Sequence, residues 1–154
     1  MSNTIPSRRQ ALILLAAPFA TVLGSRNALA GLPNVKAYRN PGCGCCEKWS
    51  GLMKDAGFAI TMEDDPNLAD RKASLGVPAK IAGCHTAIIG PYIIEGHVPP
   101  ADIIKFLSEN PKALGLAVPG MPAESPGMET GGTPEKFDVM AFSKDGSWVT
   151  YANH

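Results

Sequence analysis

The chain has 154 residues with 14 basic and 14 acidic side chains, so its formal net charge is zero and its length suits a single domain. That balance supplies no basic field of the kind that gathers a nucleic acid. Four cysteines are too few for a small disulfide-dense scaffold, yet enough for one thiol site or two disulfides.

Residues 1–30 read as an export signal. Arg8 and Arg9 precede an apolar run from Ala11 to Gly24, and Ala28-Leu29-Ala30 supplies the small-x-small cleavage pattern. The run is too short to span a membrane. Ser7-Arg8-Arg9-Gln10-Ala11-Leu12 resembles a twin-arginine signal, which exports a protein already folded, and an ordinary secretory signal containing two arginines is the alternative. Cleavage after Ala30 leaves residues 31–154 with 11 basic and 14 acidic side chains, a net charge of −3. The expected product is a single domain without a membrane anchor, placed in the oxidising periplasm where disulfides persist.

Along the remaining chain, Val35 to Tyr38 predicts a short strand, broken by the turn cluster Asn40-Pro41-Gly42. From Cys45 the spacing of Cys45, Trp49, Leu52, Met53 and Ala56 predicts a helix, with Gly57 as its cap. Phe58 to Met62 alternates as a second strand. Asp65-Pro66 predicts a helix start with the aspartate as cap, and Gly76 its end. Cys84 to Ile89 and Tyr92 to Glu95 flank Gly90-Pro91 and predict an antiparallel hairpin. Pro99-Pro100 opens a further helix with Ile103, Ile104 and Leu107 as its buried stripe and Pro111 as its limit.

Strand, helix, strand, helix, hairpin, helix is the order of a thioredoxin-like α/β domain, a mixed sheet with flanking helices, over roughly Val35 to Asn110. From about residue 111 an extension begins. Leu116 to Pro134 is too rich in glycine and proline for a regular element, and it carries Met121 and Met128. Phe137 to Ser143 and Trp148 to Tyr151 flank Lys144-Asp145-Gly146, a C-terminal β-hairpin signal.

Cys43-Gly44-Cys45-Cys46 places three thiols where a strand-to-helix turn meets the first helical turn. Unpaired backbone N–H groups and the positive end of the helix dipole favour thiolate there, and Lys48 adds a nearby cation. Three chemistries fit. Cys43 and Cys46 form a C-x-x-C redox pair, although Cys45 is a competing sulfur. Alternatively, four cysteines form two structural disulfides, for which Cys43–Cys46 with Cys45–Cys84 is the comfortable pairing. The third chemistry is a soft-metal site in which Cys43, Cys45, Cys46 and Cys84 supply thiolates suited to copper(I) or zinc, with Met121 and Met128 as candidate thioether donors.

In a thioredoxin-like fold the loop leading into the third strand faces the cysteine-bearing helix start, and it normally ends in a cis-proline. Here Cys84-His85-Thr86 occupies that position and Pro78 lies several residues too early, which puts a thiol and an imidazole beside the cysteine motif. His97 is expected at the surface or in a structural role, Glu95 at a solvated strand end, and His154 in a frayed terminus.

Several segments together carry a family resemblance: Tyr38-Arg39-Asn40-Pro41-Gly42-Cys43-Gly44-Cys45-Cys46, Cys84-His85-Thr86-Ala87, Glu95-Gly96-His97-Val98-Pro99, Val118-Pro119-Gly120-Met121-Pro122 and Ser125-Pro126-Gly127-Met128-Glu129. The set resembles the CopG-type periplasmic copper-resistance proteins. The resemblance implies a thioredoxin-like fold, copper as the bound metal, and a part in copper homeostasis alongside other periplasmic copper-handling proteins. Its metal-binding positions fall on Cys43, Cys45, Cys46, Cys84 and His85, with the methionine loop at Met121 and Met128. The expected function is copper(I) binding through a thiolate cluster, with copper redox activity as a further expectation and thiol-disulfide exchange at the C-x-x-C pair as the alternative.

Overall fold

The structure, a computed structural model, describes Met1 and residues 31–154, so all but the first residue of the expected export signal lies outside the described residues. Strand β1 (Val35–Arg39) buries Val35, Ala37 and Tyr38 and sits inside the sheet. It pairs in parallel with β2 (Ile60–Asp64) on one side and antiparallel with β3 (His85–Ile89) on the other. Strand β4 (Tyr92–Glu95) folds back antiparallel on β3 through Gly90-Pro91, matching Ile89 with Tyr92 and Thr86 with Glu95. Helices α1 (Gly44–Asp55), α2 (Leu68–Ser74) and α3 (Pro100–Glu109) complete the thioredoxin-like half.

The C-terminal part extends the same sheet. Strand β5 (Gly115–Ala117) pairs in parallel with β4, and the hairpin β6 (Asp138–Phe142) and β7 (Trp148–Asn153) adds to its far edge. The strand order is β2-β1-β3-β4-β5-β6-β7. Strand β5 is an addition to the expected elements. Leu114-Gly115-Leu116-Ala117 is a short apolar run with both faces covered, and so lacks the alternation that marks a half-exposed strand.

Burial on both sheet faces explains the pattern of β4. Tyr92 and Ile94 join the larger core with Trp49, Met53, Ile103 and Phe106, whereas Ile93 joins Val77, Ile81, Ala117 and Phe142 on the opposite side. Each large side chain removed fully from water contributes about 1.5–3 kcal/mol before entropy is counted. In α3 the buried pair is Ile103 and Phe106, while Ile104 is exposed and Leu107 half-buried, so the expected stripe is rotated. Phe106 takes the inner position because it meets Tyr92 and Tyr151 edge-on, with ring centres 4.9 and 5.7 Å away.

Two element ends shift. Helix α2 starts at Leu68 with Asn67 as its cap; Asp65 instead accepts from the Asn67 amide and pairs with Arg71, which stabilises the approach to the helix rather than its first turn. His154 is held at both ends of its residue, exchanging backbone hydrogen bonds with Phe137 and placing Nε2 2.7 Å from an Asp102 carboxylate oxygen, so the expected fraying is not observed. No cis peptide occurs among the described residues, and Pro78 begins the short 3-10 turn Ala79–Ile81.

Candidate metal centre

Cys43 caps the N-terminus of α1 with its backbone and offers no side-chain cap, which leaves the first-turn N–H groups free to face the sulfurs. Arg39, at the end of β1, donates to the Cys43 carbonyl at 3.1 Å and pairs with Asp64 and Glu47, tying strand end to helix start. Lys48 is exposed, so the cation that touches the motif is Arg39 rather than the expected Lys48.

Cys84 reaches the motif from the loop before β3. Its Sγ lies 3.6 Å from Cys46 Sγ and 3.9 Å from Cys45 Sγ, and Cys43 and Cys45 are 3.4 Å apart. The four sulfurs all lie within 4.8 Å of one another. Cys43 and Cys46 are joined as a disulfide, while Cys45 and Cys84 are free thiols. The second pair of the structural-disulfide reading is therefore not formed. Burial pushes the Cys84 thiol up to about 12, the neighbouring Cys45 adds to the rise, and Lys72 partly opposes it. Cys84 is thus a protonated thiol at neutral pH, and binding a metal must release its proton.

Two histidines adjoin Cys84. His85 Nδ1 is 3.2 Å and His97 Nε2 2.9 Å from Cys84 Sγ. Both imidazoles are fully buried, and burial lowers the pKa of each, strongly for His85, which keeps them neutral. His85 packs against Trp49, whose Nε1 donates to the Val98 carbonyl at 2.9 Å. His97 is therefore in the site rather than at the surface. The hairpin register contains the signal: with Thr86 opposite Glu95, two further steps bring Cys84 opposite His97.

Glu95, expected in solvent, is fully buried beneath this loop. It forms an ion pair with Lys72, accepts from the Gly83 amide at 2.7 Å and accepts from Thr86 Oγ1 at 2.5 Å. The residue before Cys84 and the strand after it are thereby fixed to one carboxylate. Gly83 and Gly96 make the approach possible, since a Cβ on Gly83 would stand 2.6 Å from the Gly96 Cα.

The methionine loop folds back over the same region. The Pro126 carbonyl lies 2.7 Å from His97 Nδ1, and Gly127 packs against α1 at Cys45 and Trp49. Met121 is exposed at the rim of an open cleft of about 490 Å³ that Cys43 and Cys84 also line. Met128 is half-buried in the docked loop. Gly127 has φ of +88°, and a Cβ there would meet the Trp49 amide nitrogen at 2.8 Å. Gly127→Ala is expected to undock the loop at a cost of about 1–3 kcal/mol. Thermal unfolding and proteolysis within 118–129 check this, the variant being cut faster than the parent.

Thiolate sulfur favours copper(I) and zinc, and the cluster of four sulfurs with adjoining neutral imidazoles fits copper once the disulfide is open. The comparisons agree in direction. Residues 81–128 match a family model described as a protein of unknown function, DUF411. No curated protein matches the chain. Two solved structures, forms 1 and 2 of a copper-resistance protein CopG, are each 36% identical to this chain and cover 80% of it and 98% of their own, with TM-scores of 0.75 and 0.76.

Proposed function

This chain belongs to the CopG copper-resistance family, and from that premise we propose that it is an exported periplasmic protein that holds copper(I) on the thiolates of Cys43, Cys45, Cys46 and Cys84. The domain that does so is residues 31–154, released from the signal in residues 1–30. The observation that carries the reading is the convergence of four sulfurs from two separate segments within 4.8 Å. Thiolates so close bridge metal ions readily, so more than one copper ion per chain is accommodated. His85 completes the donor set behind Cys84, and Met121 at the cleft rim is a soft donor on the way in. Met128, half-buried in the docked loop, is the second candidate thioether donor. No described helix is long and apolar enough to cross a membrane.

The disulfide sets the condition for binding. While Cys43 and Cys46 are joined, only Cys45 and Cys84 remain as thiols. Opening the bond takes two electrons and two protons, which a dithiol donor supplies by exchange as its own sulfurs become a disulfide. Copper(I) titration under anaerobic conditions tests the proposal: the reduced protein is expected to take up more than one copper ion per chain and the disulfide form far less. Equal uptake by both forms would overturn it.

The Cys43–Cys46 disulfide at a helix start beside an open cleft also favours a second reading, thiol-disulfide exchange. Exchange alone predicts that Cys45→Ser retains activity in a disulfide-reduction assay, whereas the copper reading predicts that the same variant loses copper uptake.

A further inference from the structure

We infer that strand β7 is a docking edge for a second copy of this chain, and that two copies join their sheets by pairing Trp148–Thr150 antiparallel about a twofold axis through Val149. Strand β7 ends the sheet, whereas the sulfurs gather where β1 ends and β3 begins, so the inference is independent of the copper reading.

The sheet has two edges, β2 and β7. An open edge offers a row of unpaired N–H and C=O groups to another strand, and charges on it are a usual guard. Strand β2 is guarded in this way: it carries Glu63 and Asp64, held in ion pairs with Lys36 and Arg39. Strand β7, Trp-Val-Thr-Tyr-Ala-Asn, carries no charge and no proline. It also holds two large apolar side chains that stand in solvent, Trp148 at 38% and Val149 at 68% exposure.

The hairpin register says which backbone groups face outward. The Ser143 N–H donates to the Ser147 carbonyl at 2.9 Å, and the ladder continues with Phe142 opposite Trp148, Ala141 opposite Val149 and Met140 opposite Thr150. Hydrogen-bonded and non-bonded pairs alternate in an antiparallel ladder, so Val149 bonds to Ala141 whereas Trp148 and Thr150 turn their N–H and C=O groups away from β6. About an axis through Val149, Trp148 of each copy meets Thr150 of the other, and each of those pairs exchanges two hydrogen bonds. The side chains match as well. Trp148 and Thr150 share one face, where an aromatic ring opposite a β-branched residue is a favourable cross-strand pair, and Val149 meets its own copy on the other face. A charge at the axis would face itself, so an uncharged strand is what self-pairing requires.

The register shift between Val139 and Met140 leaves Tyr151 as the extra residue, its hydroxyl tied to Lys105 and Glu109 on α3. That bulge ends the straight segment and restricts pairing to Trp148–Thr150. The contact is therefore small, of the weak and reversible class.

Sedimentation velocity of the chain, with and without residues 1–30, over about 1 μM to 1 mM tests the inference. The sedimentation coefficient is expected to rise with concentration to that of a dimer and no further, because a twofold contact closes. Val149→Lys sets like charges against each other on the axis and should abolish association. Thr150→Pro removes an outward N–H without touching the β6 ladder and should weaken association at least ~10-fold. Thermal unfolding identifies a variant that fails to fold; Val149 stands largely in solvent, so its lysine variant keeps the test available. Thr61→Lys, at the exposed β2 edge, should leave association unchanged. Copper(I) uptake by Val149→Lys should equal that of the parent, which keeps this result separate from the copper titration. The inference fails if the chain stays monomeric throughout, which would leave the edge to a strand of a different protein, or if Val149→Lys associates as tightly as the parent. It fails equally if Thr61→Lys abolishes association, if assemblies grow past the dimer, or if only the form with residues 1–30 associates, which would assign the contact to that apolar segment.

Discussion

Cys84→Ser is expected to weaken copper(I) binding by the reduced protein at least ~100-fold, or about 2.7 kcal/mol. Cys84 is the one sulfur that does not come from the turn of α1, and it lies 3.6 Å from Cys46 and 3.9 Å from Cys45. Without it, the remaining donors are Cys43, Cys45 and Cys46, which a single helical turn holds on one side of the site. A serine hydroxyl is a hard neutral donor and does not replace a soft thiolate. Cys84 is only half-buried, and a serine hydroxyl can still donate to the buried His97 Nε2 in place of the thiol, so stability should change by less than about 1 kcal/mol. Competition against a chromophoric copper(I) chelator, together with thermal unfolding of the metal-free protein, separates the two quantities. Affinity within a factor of about 3 of the parent would contradict the assignment.

Glu95→Ala is expected to cost about 3–5 kcal/mol of stability, the range found when one partner of a buried ion pair is removed. The Lys72 side chain is 12% exposed and would be left without its carboxylate partner. The Gly83 amide and Thr86 Oγ1 would lose their shared acceptor at the same time. Glu95→Gln keeps an acceptor for those two groups and should therefore cost less than the alanine variant. The midpoint of urea unfolding reports the loss, with an unchanged denaturant slope as the sign that both states keep their extent. Since Gly83 precedes Cys84, the alanine variant should also bind copper(I) more weakly than its folded fraction explains. A stability loss below about 1 kcal/mol would show that the network is not anchoring the loop.

Much of this organisation is legible in the residues themselves. The Asn40-Pro41-Gly42 turn, the spacing from Cys45 to Ala56 and the Gly90-Pro91 reversal announce β1, α1 and the β3–β4 hairpin. The thioredoxin-like order then brings the loop before β3 to the start of α1, and Cys84 does meet Cys45 and Cys46 there. What composition conceals is burial of polar groups. Glu95 and His97 resemble surface residues because their types usually are, and only the covering of both sheet faces by helices and the docked methionine loop makes them interior. Met121 and Met128 look equivalent in Pro-Gly-Met repeats, but the loop path separates them: one rims the cleft, whereas the other lies in the segment docked on α1. The outward rotation of Ile104 is likewise set by the aromatic neighbours of Phe106, which lie 14 and 45 positions away in sequence. Redox state is a further quantity that cysteine spacing leaves open, since Cys43–Cys46 serves both as a disulfide and as half of a thiolate site.

X-ray absorption at the copper edge, recorded on reduced protein loaded anaerobically with copper(I), tests the central claim most directly. Four converging sulfurs predict a first shell dominated by sulfur, with a short copper–copper vector that disappears in Cys84→Ser. A first shell of nitrogen and oxygen without a copper–copper vector would contradict a thiolate-bridged site on Cys43, Cys45, Cys46 and Cys84.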